Sequence, residues 1–146
     1  MNMLWHKKYT IDDALALITH DNILDHLGLE FTEIGDDFIT ARLPVDRRTH
    51  QIHGILHGGA TCVLAETIGS FASIMCVDLD HKYAVGSQIS VNHLRPASEG
   101  HVHAHCAPVH IGRTKHVWDI RVSDDRGRLV AKCELSCAVI DKPKAA

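Results

Sequence analysis

Among the residues whose chemistry could matter, one carboxylate stands apart: Glu66 lies in an otherwise almost uncharged stretch, 60–77, between Val63, Leu64 and Ala65 on one side and Ile68 on the other. An ionised carboxylate in such company is costly unless it has a partner or a task. It reads either as a general base or nucleophile, or as a structural hydrogen-bonder at a helix surface. Ser70, four residues on, shares a helical face with Glu66 and could position a water or a substrate atom, as it could also simply solvate that face. Upstream stands His57-Gly58-Gly59. Paired glycines let a ligand approach the backbone, and the free amides of a helix N-terminus favour negative charge, so this segment could polarise a carbonyl and stabilise the oxyanion formed on attack. A tight entry turn would need the same glycines. His57, and Gln51 in the preceding loop, add side chains able to touch the same carbonyl.

These residues need elements to hold them. Residues 58–77 read as a helix, apolar nearly all round, which must be covered on most sides. Residues 12–18 and 22–27 read as short amphipathic helices, with Thr10 or Asp12 available to cap the first. Residues 29–34 and 38–43 form a first hairpin around Gly35-Asp36-Asp37. Four strands follow at 84–95, 101–111, 115–123 and 129–140, the last two joined by a turn at 124–127, and their short connections suggest an antiparallel meander. The fold class is α+β, a curved antiparallel sheet of five or six strands wrapped around a long central helix.

Helical rise then sets a constraint. Eight residues separate Gly58 from Glu66, about 12 Å at 1.5 Å per residue, further than a glutamate side chain spans. If both act on one carbonyl, Glu66 must face Gly58 of a second subunit across a twofold interface. Catalysis would then require at least a dimer.

Bulk properties exclude several classes. The 146 residues suit a single domain spanning 1–146, and a net charge of −3 offers no global attraction to nucleic acid or an anionic membrane. The stretch 60–77 is long enough to raise the question of a membrane span, but Glu66, Thr67 and Ser70 within it favour a buried core helix. Residues 1–10 carry no apolar run, so no signal peptide is expected, and five cysteines without a CxxC pair fit a reduced cytoplasmic setting. His101, His103 and His105 alternate along one strand face; alternate positions stand about 7 Å apart, and no HExxH or CxxC accompanies them, so no metal site is expected. A GxSxG nucleophile turn is absent from the sequence.

The segment running from Gln51 through His57-Gly58-Gly59-Ala60 into Leu64-Ala65-Glu66-Thr67-Ile68-Gly69-Ser70 resembles the signature of hotdog-fold acyl-CoA thioesterases. Within that family the segment is similar to the branch containing 1,4-dihydroxy-2-naphthoyl-CoA hydrolase and the proofreading thioesterase of enterobactin synthesis. Similarity continues through Val91-Asn92-His93-Leu94-Arg95 and 108–113 and covers roughly residues 10–140. The resemblance implies that Glu66 attacks the thioester or activates water, that the Gly58 amide of the neighbouring subunit polarises the carbonyl, that Gln51 and His57 sit beside the thioester, and that Ser70 helps place water or the acyl group. It also implies that Gly86, His93, Arg95, His110, Gly112, Arg113 and Lys115 hold the pantetheine arm and nucleotide of an acyl-CoA substrate. A tetramer built as a dimer of dimers is usual in such a family, and no cofactor is expected beyond the CoA carried by the substrate. Two rivals share the fold, a non-catalytic acyl-CoA binding module and a hydratase.

Overall fold

The computed structural model describes residues 3–144, so the first two residues of the N-terminal stretch lie outside it. Two short helices, α1 (Ile11–Leu15) and α2 (Ile23–Leu27), precede β1 (Glu30–Ile34) and β2 (Ile39–Pro44); then come α3 (Gly58–Met75), β3 (Lys82–His93), β4 (His101–Ile111), β5 (Lys115–Asp124) and β6 (Leu129–Asp141). Thr10 caps α1 through a capping box with Asp13, and Asn22 caps α2 by accepting from the Leu24 and Asp25 amides. Helix α1 is shorter than the periodicity of 12–18 suggests, because only Ala14 finds a buried place and the chain turns away after Leu15.

All six strands join one antiparallel sheet in the order β1-β2-β4-β5-β6-β3. The hairpin β1–β2 forms as expected, but the meander is confined to β4–β5–β6: β3 pairs with β6 and β2 takes the place beside β4. A short connection does not require adjacency here. Residues 94–100 cross three strand spacings, roughly 15 Å, well within an extended chain's reach of about 3.3 Å per residue. Hydrogen bonds mark the crossing, from the Leu94 and Arg95 amides to Val130 O at its start and from Val45 N–H to Gly100 O at its end.

One face of the sheet carries the core. Val102, Ala104 and Cys106 of β4, Trp118, Ile120 and Val122 of β5 and Leu135 and Cys137 of β6 meet Leu64, Ala65, Ile68 and Ala72 of α3, all at most 1% exposed. A side chain on Gly69 would strike Leu135 Cδ2 at 2.5 Å, so this glycine sets how closely helix and sheet approach. Trp118 is fully buried and satisfies its indole by donating to Ser73 Oγ at 2.7 Å. By length and composition α3 could cross a membrane, yet half of that segment is buried inside the fold, as the polar residues within it suggest. His101, His103 and His105 line the opposite face, where His103 pairs with Asp125 at 2.7 Å. Among the described residues no three His, Cys, Asp or Glu side chains are gathered to hold a metal ion.

Candidate active site

The loop before α3 is built to present its first amide. Thr49 is pinned by its hydroxyl donating to Pro44 O at 2.6 Å, and it in turn accepts from His57 N–H at 2.8 Å. His57 (φ −68°, ψ 131°) caps the helix with its ring: Nδ1 accepts from Gly59 N–H at 2.8 Å, so the neutral ring carries its proton on Nε2, which is left to donate. His57 O takes the Ala60 and Thr61 amides. Of the helix's first four N–H groups, Gly58's alone finds no acceptor among the described residues. That is the group the sequence singles out for polarising a carbonyl.

Around this amide lies a cavity of about 390 Å³ whose walls include Gln51, Gly58, Thr61, His93, Arg95 and Val130. Gln51 Oε1 accepts from His53 N–H in a turn that Gly54 closes with φ +75°, which leaves the Gln51 NH2 as the end able to donate to a ligand. His93 lies so close that a Cβ on Gly58 would come within 2.9 Å of its Nε2. Thr61, a helix residue placed to shape an acyl pocket, also lines this cavity, as do Leu94 and Pro96, to which the sequence reading gave no role in the site. Their signal is weak, since nothing local marks the crossing loop 94–100 as passing under the start of α3.

Glu66 occupies a separate place. It is half-buried on α3, and its carboxylate rests against β3 at Gly86, where a Cβ would lie 1.9 Å from Oε1 and 2.8 Å from Cδ. In the sheet Gly86 pairs with Cys137, and Cys137 with His116. Cys137 Sγ reaches Gly69 O at 3.9 Å, and burial raises its thiol pKa with Ser73 and Ser70 hydroxyls working against that rise, so Ser70 shares this region with Glu66. His110, Gly112, Arg113 and Lys115 belong to the β4–β5 hairpin at the same end: Lys115 is in register with Ala138, and Ala138 with Val85 beside Gly86. Gly112 N–H donates to Lys115 O at 2.9 Å, and His110 folds over Gly112.

The twelve residues therefore fall into two groups within one chain. Gln51, His57, Gly58, His93 and Arg95 gather at the N-terminus of α3, while Glu66, Ser70, Gly86, His110, Gly112, Arg113 and Lys115 gather further along it. One more polar group joins the second set. His116, 2% exposed, faces the core with its Nδ1 unpartnered, and burial lowers its pKa from the ordinary value. A histidine in the apolar alternation of 116–122 is the signal for it in the sequence.

Comparison with known proteins identifies the family. The sequence profile of the thioesterase superfamily matches residues 53–131. The chain is 43% identical over 138 residues to 1,4-dihydroxy-2-naphthoyl-CoA hydrolase of Escherichia coli (strain K12), covering 94% of this chain and all of that protein. It is 42% identical to proofreading thioesterase EntH of Cronobacter turicensis, covering 94% of this chain and 99% of the relative. Among solved structures, a mutant of thioesterase PA1618 from Pseudomonas aeruginosa superposes with a TM-score of 0.92 at 43% identity over 95% of this chain and 99% of that one. Thioesterase HI1161 from Haemophilus influenzae gives 0.90 at 40% identity, covering 95% and 96%.

Proposed function

The chain belongs to the thioesterase superfamily, a hotdog-fold thioester hydrolase, and from that premise we propose that it is a cytoplasmic acyl-CoA thioesterase, one domain over 1–146, that cleaves an aromatic or medium-chain acyl-CoA at the interface of a homodimer. The observation that carries this reading is the division of the site: a free Gly58 amide beside an open cavity, and a carboxylate about 12 Å away along the same helix. Two such halves from two subunits make one complete site. The dimer draws further support from β3, a strand of 12 residues at the sheet's edge with Tyr83 and Val85 exposed, since an edge of that length invites pairing with another chain. Two dimers then assemble as a tetramer.

The thioester carbonyl oxygen accepts from Gly58 N–H of one subunit, with the Gln51 NH2 beside it in the same cavity and the His57 ring capping the adjoining Gly59 amide, and charge building on that oxygen is stabilised by the helix terminus. Glu66 of the other subunit acts in one of two ways. As nucleophile its oxygen attacks the carbonyl carbon, the C–S bond breaks to release CoA thiolate, and water then hydrolyses the mixed anhydride. As general base it takes a proton from water that Ser70 helps to place, hydroxide adds to the carbonyl, and the thiolate leaves. The pantetheine arm and nucleotide run along His93 and Arg95 on one side and along Gly86, His110, Gly112, Arg113 and Lys115 on the other, the cations serving the phosphates.

Replacing Glu66 by Gln tests the reading. Free-thiol release from an aromatic and a medium-chain acyl-CoA should fall at least about a hundredfold in kcat with KM little changed. Near-normal turnover would overturn it. Thiol release from a saturated acyl-CoA by the wild type also separates hydrolysis from hydration, which needs an enoyl substrate.

A further inference from the structure

Gly86 has no backbone reason to be glycine. It is not among the residues with positive φ, so its conformation is one that any L-residue adopts. What it provides is the missing side chain: a Cβ there would lie 1.9 Å from Glu66 Oε1, 2.8 Å from Cδ and 3.2 Å from Oε2. The carboxylate occupies the space that any other residue at this position would fill.

The strand around Gly86 is irregular in a way that serves the same end. Gly86 pairs with Cys137 and Gln88 with Ser136, so Ser87 is an extra residue on β3, and its hydroxyl donates to Ser136 O at 3.0 Å, tying the bulge to β6. Side chains alternate along a strand, and an uninterrupted β3 would put positions 86 and 93 on opposite faces. With one residue extruded, Ala84 and Gly86 face α3 before the bulge, while Ile89 and Val91 pack on the core after it and His93 meets Gly58. A single irregularity thus lets one strand touch both halves of the site, with glycine opposite the acid and histidine opposite the amide.

We propose that Gly86, set by the bulge at Ser87, is the positioning residue that seats the Glu66 carboxylate for attack. This role rests on the reading of Glu66 given above and differs from a contact with the pantetheine arm: it uses the inward side of β3, acts only through Glu66, and bears on kcat rather than on substrate affinity. Because the atoms met are the far end of a flexible side chain, a Cβ at this position displaces the carboxylate rather than the fold.

The test is a double-mutant cycle read by steady-state thiol release. Gly86→Ala should lower kcat by about ten- to a hundredfold, as an ångström-scale misplacement of a reacting group does, with KM within about twofold and an unchanged thermal midpoint. In a Glu66→Gln background the same Gly86→Ala change should cost nothing more, since the group it acts through is already gone. Shortening the acid should rescue: Gly86→Ala with Glu66→Asp is expected to turn over faster than Gly86→Ala alone. Near-wild-type kcat in Gly86→Ala, an equal loss in both backgrounds, or a loss carried mainly by KM would each overturn the proposal. Should Gly86→Ala fail to fold, the clash requires that Gly86→Ala with Glu66→Ala does fold; failure of that pair also overturns it. An active Glu66→Gln protein would instead sink the catalytic reading of Glu66, a distinguishable result.

Discussion

At the start of α3 the chain holds itself open. His57 takes the Gly59 amide onto its ring and two further amides onto its carbonyl, and the Gly58 N–H is left facing a cavity of about 390 Å³. About two turns along the same helix the opposite holds, for Glu66 is pressed against β3 in the space of an absent side chain at Gly86. The difference fits the role proposed for each group. A backbone donor is rigid already and needs room for a ligand, whereas a carboxylate on a flexible stem needs to be held. Within one subunit the two stand about 12 Å apart along the helix, so on the proposed reading each chain carries two unlike halves of a site rather than one whole site.

The largest expected effect breaks the open half. Gly58→Pro removes the N–H while suiting the first position of a helix, and the preceding residue already has the extended angles proline requires. Thiol release should lose about a hundred- to a thousandfold in kcat. Gly58→Ala, which keeps the N–H but pushes on His93, should lose far less; equal losses would show that space and not the donor matters.

Next come the cations, one from each half. Arg95→Ala and Lys115→Ala should each raise KM for acyl-CoA roughly three- to tenfold at unchanged kcat, and neither should alter KM for the matching acyl-pantetheine thioester, which lacks the nucleotide phosphates. An equal effect on both substrates would remove the phosphate role.

A smaller effect concerns the closed half's buried imidazole. Burial disfavours the charged form of His116, so its pKa lies below the ordinary 6.5. Above that value both folded and unfolded chains hold it neutral and its contribution is complete; as pH falls through 6.5 the unfolded chain takes up a proton that the fold refuses, and stability declines until the lowered folded pKa is reached. Melting temperatures from about pH 7 to about pH 5.5 should therefore fall further in the wild type than in His116→Phe, by at most about 3 °C. Parallel declines would contradict this.

Smallest of all are changes on the outer face of the sheet. Lys132 pairs with Asp119 where both remain partly exposed, and Lys132→Ala should cost no more than about 1 kcal/mol in denaturant unfolding, without touching kcat.

The sequence carries the local part of this plainly. Apolar periodicity and the glycine pair delimit α3 to within two residues, Thr10 is one of the two caps the sequence offers for α1, and Glu66 is the lone acid in the long helix, whereas Asn22, read as the first residue of α2, proves to be its cap. Pairing across distance is less legible. Alternation shows that β3 is a strand but not that it leaves its successor to lie beside β6, because the partner is chosen by the need to cover α3. Alternation also reads β3 as regular, so the bulge at Ser87, and with it the shared facing of Gly86 and His93, stays hidden. An isolated glycine inside a strand was the available hint of a bulge or a close approach. The division of the site residues between the two ends follows from the register of β3, β5 and β6, which no spacing along the chain encodes.

Subunit complementation tests the central claim most directly. Glu66→Gln and Gly58→Pro chains, each inactive as a homodimer, are co-expressed in equal amounts and assayed for thiol release. A site shared across the interface gives each mixed dimer one intact pair and one doubly damaged pair, so about a quarter of wild-type activity should return. Continued inactivity of mixed dimers, isolated by two affinity tags, would contradict the account.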